Sequence, residues 1–275
     1  MRTIAQISDL HFGRHDPRVS EDLLASLHEA APDLVVISGD VTQRARPAEF
    51  EAARRFLDRM HTSKLMVPGN HDMPLYDLLR RWRAPLDRYR RLTERAGSIL
   101  ESYGDEQVVI AGLDTTRRWS ALRGGISSPQ VEAVRRRFDA APRDNLRLLV
   151  THHPLGRPQG STFIRLARRA EVSHGPLASL PVDVLMSGHG HRAASGPGAD
   201  QVGATHIGGG GAVLVVHAGT AISVRTRGGE RNSFNLMRVE RPRLSVEVLE
   251  WRAGHGFQQV RATEFVLSDG RWRCG

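Results

Sequence analysis

The sequence is short of thiols, of long apolar runs and of lysine. Its one cysteine, Cys274, stands second from the C-terminus. A single thiol cannot close an internal disulfide, which suits a reducing cytoplasm, and a place so near the end argues against a catalytic thiol. No run of about 18 apolar residues occurs, so a membrane-spanning helix is excluded. The first residues enter a strand pattern directly, without the apolar core of a secretory leader. No repeat, low-complexity tract or linker-like segment divides the chain.

What is present suits a soluble protein. The chain has 275 residues, 40% hydrophobic and 25% charged. A domain of this length buries roughly 75% of its unfolded surface. The formal charge is +9, carried almost entirely by arginine. One reading is attraction to anions: phosphates, nucleic acid or an anionic lipid surface. The other is a solvated surface coded by an arginine-rich genome.

The periodicity alternates. Residues 2–7 read as a strand. Asp16-Pro17 supplies a cap and an N1 proline for a helix with Val19, Leu23, Leu24 and Leu27 on one face. Residues 34–37 are a second strand, and Phe50, Ala53, Leu57 and Met60 mark a second helix. A third strand covers 64–67. This strand–helix repeat predicts parallel pairing with right-handed crossovers. Residues 74–96 predict a helical insertion broken at Pro85. Its apolar stripe would be Leu75, Leu79, Trp82, Leu86 and Tyr89, with arginines over the rest. The arginines form either an anion-attracting rim or a solvated face. Residues 98–103 and 106–113 predict a hairpin around Gly104-Asp105. A helix follows Ser128-Pro129, and strands cover 146–150 and 182–186. From about 200 to 275 the chain reads as mainly antiparallel β, with strands at 213–216, 221–225, 235–239, 244–249 and 257–266. The expectation is one domain over 1–275, with two sheets facing each other.

Five short polar motifs fall just after expected strands. They are Asp9-Leu10-His11, Gly39-Asp40, Gly69-Asn70-His71-Asp72, His152-His153-Pro154 and Gly188-His189-Gly190-His191. In Asp-x-His the alternation puts both side chains on one side of an extended segment. Glycine lets the backbone turn sharply at a strand end, and open α/β sheets bind ligands at that edge. The donors are oxygen and nitrogen without thiolate, which suits manganese, iron or zinc and disfavours a structural zinc site. Each motif alone is common. The five together, each at a strand end, are not.

In this order the motifs resemble the calcineurin-like metallophosphoesterase superfamily, nearest its bacterial class III cyclic-nucleotide phosphodiesterase branch. The likeness runs from Ile7-Ser8-Asp9-Leu10-His11-Phe12-Gly13 to His191. It implies a four-layer αββα sandwich of two mixed sheets. It implies that Asp9, His11 and His191 bind one divalent metal ion, that Asn70, His152 and His189 bind a second, and that Asp40 bridges both. His71 would face the substrate phosphate and either stabilise charge or protonate the leaving oxygen, with Asp72 orienting it by hydrogen bond, and Asn70 would also touch the substrate. His153 would stand behind the ligands or beside the substrate. Manganese or iron leads as the metal pair, with zinc open.

The function this implies is a metal-dependent phosphodiesterase acting on a small-molecule phosphodiester such as a cyclic nucleotide, by attack of a hydroxide shared by the ions. Two alternatives stay open: a nucleotide-linked lipid pyrophosphatase at a membrane surface, and a DNA repair-type nuclease. Peripheral membrane contact and a homodimer are open too, and nucleic acid is a less favoured partner. The segment from Gly156 to about 175, rich in arginine, is the candidate substrate-selecting lid. Arg14 and His15 either touch substrate or belong to a surface loop. His206 and His217 read as packing or surface residues.

Overall fold

The computed structural model describes residues 1–96, 99–120, 124–156, 158, 180–198 and 213–275. Strand β1 (Arg2–Ile7) leads through helix α1 (Pro17–Ala30) to β2 (Leu34–Ile37), then through α2 (Pro47–Asp58) to β3 (Lys64–Met66). The three strands pair in parallel. The Asp16 carboxylate accepts from Arg18 N at 2.9 Å and Pro17 opens α1, the start expected from the sequence. Two short helices follow, α3 (Leu78–Arg83) and α4 (Asp87–Arg95), broken at Pro85.

The expected hairpin around Gly104-Asp105 forms, and the residues just before it join the sheet of β3. β4 (Ile99–Leu100) adds in parallel to β3, whereas β5 (Ser102–Gly104) pairs antiparallel with β6 (Val108–Leu113) in the other sheet. After β6 come α5 (Ser128–Ala140), β7 (Leu146–Thr151), β8 (Val184–Ser187), β9 (Ala194–Pro197) and β10 (Leu214–His217). A meander of β11 (Ser233–Glu240), β12 (Arg243–Arg252), β13 (Gly256–Ser268) and β14 (Arg271–Cys274) then joins the first sheet through an antiparallel pair with β1. The strand expected over 221–225 is instead a loop. Its one ladder contact is a bridge from Ser223 to His15.

Among the described residues the sheets run β14-β13-β12-β11-β1-β2-β3-β4 and β5-β6-β7-β8-β10-β9. Both are mixed. Alternation along each strand builds the layers. Leu34 and Val36 of β2 face the second sheet and meet Ile110, Leu148 and Val184. Val35 and Ile37 face the other way, under Leu23, Phe50 and Leu92 of α1, α2 and α4. On the far side Leu149 and Leu185 lie against Val131, Val134 and Phe138 of α5. The result is the four-layer αββα sandwich. Strands covered on both faces read as unbroken apolar runs, which is why the parallel strands were legible. Replacing one of these fully buried residues, as in Leu34→Ala, costs about 2–5 kcal/mol.

Candidate metal centre

All five motifs leave the sheets at one edge, the carboxyl ends of β1, β2, β3, β7 and β8. The strand ends are stitched by backbone bonds that continue past the ladders. Asp9 N donates to Gly39 O, His11 N to Asp40 O, and Gly188 N to His152 O, at 3.0, 3.0 and 3.2 Å. Gly39, at φ +95°, has no room for a side chain: a Cβ there would lie 2.4 Å from His152 Nδ1.

The backbone is strained where the donors stand. Eight described non-glycine residues have positive φ, and five of them are Asp9, His11, Asp40, His189 and His191. Left-handed backbone is unfavourable for residues with a Cβ, though Asp, Asn and His tolerate it best. Here it turns each side chain inward at its strand end, and such strain gathers at functional sites.

The inward atoms converge. His191 Nε2 lies 3.1 Å from Asp9 Oδ1, and His11 Nε2 lies 3.3 Å from His191 Nε2 and 3.9 Å from Asp40 Oδ2. On the other flank His152 Nε2 lies 3.3 Å from Asp40 Oδ2, 3.2 Å from Asn70 Oδ1 and 3.2 Å from His189 Nδ1. Asp40 stands between the two flanks.

Outer contacts fix which atoms are free. His152 Nδ1 donates to Ser38 O at 2.8 Å and His191 Nδ1 to Arg225 O at 2.9 Å. Each Nε2 lone pair therefore points inward, the usual way a protein orients a metal-binding imidazole. Asp9 Oδ2 accepts from Ser8 Oγ and His189 N, while its buried Oδ1 has no hydrogen-bond partner. Asp40 Oδ1 accepts from His71 N at 2.8 Å, leaving Oδ2 to the centre. Imidazole lone pairs facing one another beside an unpartnered carboxylate oxygen are a poor hydrogen-bond network and a good ligand set. Four groups among these residues have donor atoms close enough to share an ion: Asp9/His11/His191, Asp9/Asp40/His152, His11/Asp40/His71 and His152/His153/His189. The centre fits divalent cations.

The electrostatics agree. Burial would raise the Asp40 carboxyl, but His152, His71 and His11 outweigh it and hold it well below the usual range. Asp9 is lowered likewise, with His191 opposing burial. Burial would lower His152, yet the contact with Asp40 pushes it up to about 9. His11 and His189 are lowered to about 4, first by burial. Two buried carboxylates kept anionic attract cations, and an ion bound beside them would take the place of the proton that Asp40 holds on His152.

The sequence expectations divide here. Asp9, His11, Asp40, Asn70, His71, His152, His189 and His191 come together. His153 joins them: it is buried, its Nδ1 meets Thr115 Oγ1 at 2.8 Å, and its Nε2 has no hydrogen-bond partner. Asp72 is a correction. It does not touch the His71 ring. Its carboxylate accepts from the backbone N–H of Gly69, Val41 and Thr42 and from the Thr42 hydroxyl, pinning two strand-end loops together. Burial, then Asp40, raises its carboxyl to about 6. The His71 ring is held by Gln43 instead, with Nδ1 donating to Gln43 O at 2.7 Å. Gln43 is in turn tied to Arg225 at 3.3 Å. The sequence gives little sign of these partners, because a backbone carbonyl looks the same in any residue. His15 leans on Phe12, with ring centroids 4.6 Å apart. His217 is buried, with Nδ1 at 2.5 Å from Ser187 Oγ and Nε2 donating to Gly156 O. His206 and most of the lid candidate, from 159 on, lie outside the described residues.

Cation-attracting donors gathered at one sheet edge of such a sandwich, in a chain that matches the family below, make it a metal-dependent phosphoric ester hydrolase. The chain belongs to the calcineurin-like phosphoesterase family, whose model matches residues 2–193. It is similar to a probable cyclic nucleotide phosphodiesterase of Synechococcus sp., 25% identical over 218 residues, or 70% of this chain and 74% of that one. It is also similar to a 3',5'-cyclic adenosine monophosphate phosphodiesterase of Escherichia coli, 28% identical over 170 residues, 60% of this chain and 56% of that one. In structure it resembles a dimetal phosphatase from Danio rerio, with TM-score 0.64 and 15% identity over 97% of this chain and 99% of that one. That likeness speaks for the fold. The family implies a dinuclear divalent site, and the clusters above are where this chain could hold it. Among the described residues no helix is long and apolar enough to cross a membrane.

Proposed function

We propose that the chain hydrolyses a small-molecule phosphodiester, with a cyclic nucleotide as the leading substrate. The observation that carries this reading is the convergence of Asp9, His11, Asp40, Asn70, His152, His189 and His191, with the half-buried His71 beside them. Asp9, His11 and His191 would hold one ion, Asn70, His152 and His189 the other, and Asp40 both. Manganese or iron suits this oxygen and nitrogen set, and zinc is compatible with it. Two bound divalent ions acidify a water and offset phosphate charge. The protein's part is orientation. Ser38 and Arg225 carbonyls fix the imidazoles, and Asp72 fixes the loops that carry Asp40 and Asn70. His71, with Nδ1 donating to Gln43 O, leaves Nε2 free, and as the imidazolium it would give the Nε2 proton to the departing alkoxide and return to the neutral Nδ1–H form.

The preference for a diester draws on the names of the two phosphodiesterase relatives. A nucleotide-linked lipid is the second reading, favoured by an exposed apolar face beside the site. A panel in manganese buffer tests both: bis-(p-nitrophenyl) phosphate, cyclic AMP, a phosphomonoester, single-stranded DNA and a nucleotide-linked lipid. Turnover of cyclic AMP well above the monoester supports the proposal, and turnover confined to the monoester or DNA refutes it.

A further inference from the structure

The surface next to His71 inverts the usual pattern. Four residues beyond it the chain exposes Leu75, Tyr76, Leu78, Leu79 and Trp82, and Trp119 joins them. These are six of the nine large hydrophobic residues exposed among those described. They stand proud: Tyr76, Leu78 and Trp119 are 69%, 70% and 79% exposed. Meanwhile Arg81, in the same helix, is buried. Its guanidinium donates to the carbonyls of Pro74, Arg117, Arg118 and Ser120, which clamps the loop bearing Trp119 against α3. The apolar cluster is thus held in place by a polar anchor. It is not the ragged end of a helix.

The charges around it are basic. Arg44 lies over the Tyr76 ring at 5.3 Å, and Arg118 donates to Trp82 O. Among the described residues neither Arg83 nor Arg118 has a carboxylate within ion-pairing distance. The nearby acid Asp77 is engaged, capping α3 through Arg80 N and pairing with the Arg80 side chain. Leucine, tryptophan and tyrosine rimmed by unpaired arginine match the water–lipid boundary, where aromatic rings sit at headgroup depth and guanidinium groups meet anionic headgroups. Side chains this far exposed suit a deformable surface that can close around them.

We propose that this face, built from Leu75–Arg83 and Trp119, docks the protein on an anionic lipid bilayer, with the metal centre opening beside the membrane. Docking needs no turnover, so it stands or falls apart from the hydrolytic reading. The test is co-sedimentation of the full chain with phosphatidylglycerol vesicles and with phosphatidylcholine vesicles. Binding to the anionic vesicles, weakened by salt, is expected. Arg83→Ala should lower the partition by about fivefold, the worth of one cation near such a surface. Leu78→Ser with Leu79→Ser should lower it by about tenfold or more, because each loses a buried hydrocarbon chain. Both leucines are exposed, so the double variant should keep its circular dichroism and its hydrolysis of a soluble diester. Failure of the natural chain to sediment with phosphatidylglycerol overturns the proposal. So does equal sedimentation of the double variant. A dimer that falls apart in the double variant, with no vesicle binding by either form, overturns it in favour of a self-association face.

Discussion

The metal centre and the α3 face lie side by side and are built in opposite ways. At the centre polar groups are buried and nearly every outer atom is tied, from His152 and His191 to backbone carbonyls and from Asp72 to three N–H groups. On α3 the leucines and the tryptophan are in water and Arg81 is inside. The first arrangement costs stability and secures geometry. In the second the exposed side chains add almost nothing to stability and offer surface. A protein can therefore lose the one without losing the other, and substitutions should separate them.

The largest effect is expected at His71. His71→Ala should cut turnover of a diester with a poor leaving group by about 10²–10⁴-fold while elemental analysis still finds both ions. Full turnover would remove it from the proton transfer. Gly39→Ala attacks the rigid side of the comparison. Positive φ and the contact with His152 predict a loss of about 3 kcal/mol in chemical denaturation, together with lower metal content. An unchanged midpoint would mean the strand edge is softer than its bonds imply.

A similar loss is expected from acid at His217. Burial lowers this imidazole to about 4 from an unfolded value of 6.5. Between those values the unfolded chain holds the extra proton, so stability is full above 6.5 and falls as pH drops towards 4, by up to about 3 kcal/mol. Comparing wild type with His217→Gln at pH 7 and 5 isolates the term, since the variant should lose less. Parallel losses would refute it. Arg81→Met should cost about 2 kcal/mol, because four carbonyls lose a charged donor. Smallest of all, Leu79→Ser should shift stability by no more than about 0.5 kcal/mol, which thermal denaturation can bound.

Much of the fold was legible because the physics behind it is local. Unbroken apolar runs such as Leu34–Ile37 announced strands covered on both faces. Asp16-Pro17 announced a helix start. The division of residues 99–113 between two sheets was not legible, since either partner would satisfy the same side chains. The loop at 221–225 misled for a related reason. Ala221 and Ile222 are apolar and buried, but they fill space beneath the β1 loop without joining a ladder. At the site the donors were readable as residue types at strand ends, whereas Gln43 and Asp72 depended on backbone atoms that carry no sequence mark. The stripe expected in 74–96 held for Leu86 and Tyr89 and failed for Leu75, Leu79 and Trp82. Helical periodicity reports a face and does not say whether anything covers it.

The left-handed backbone at Asp9, His11, Asp40, His189 and His191 has a consequence for how this centre can change. The residue types that best endure that conformation are Asn, Asp and His, and all three are oxygen or nitrogen donors to a metal. The backbone and the ion thus accept nearly the same short alphabet. A library randomised at these five positions should return survivors drawn from those three letters. It should reject glutamate and cysteine even though both can bind metals.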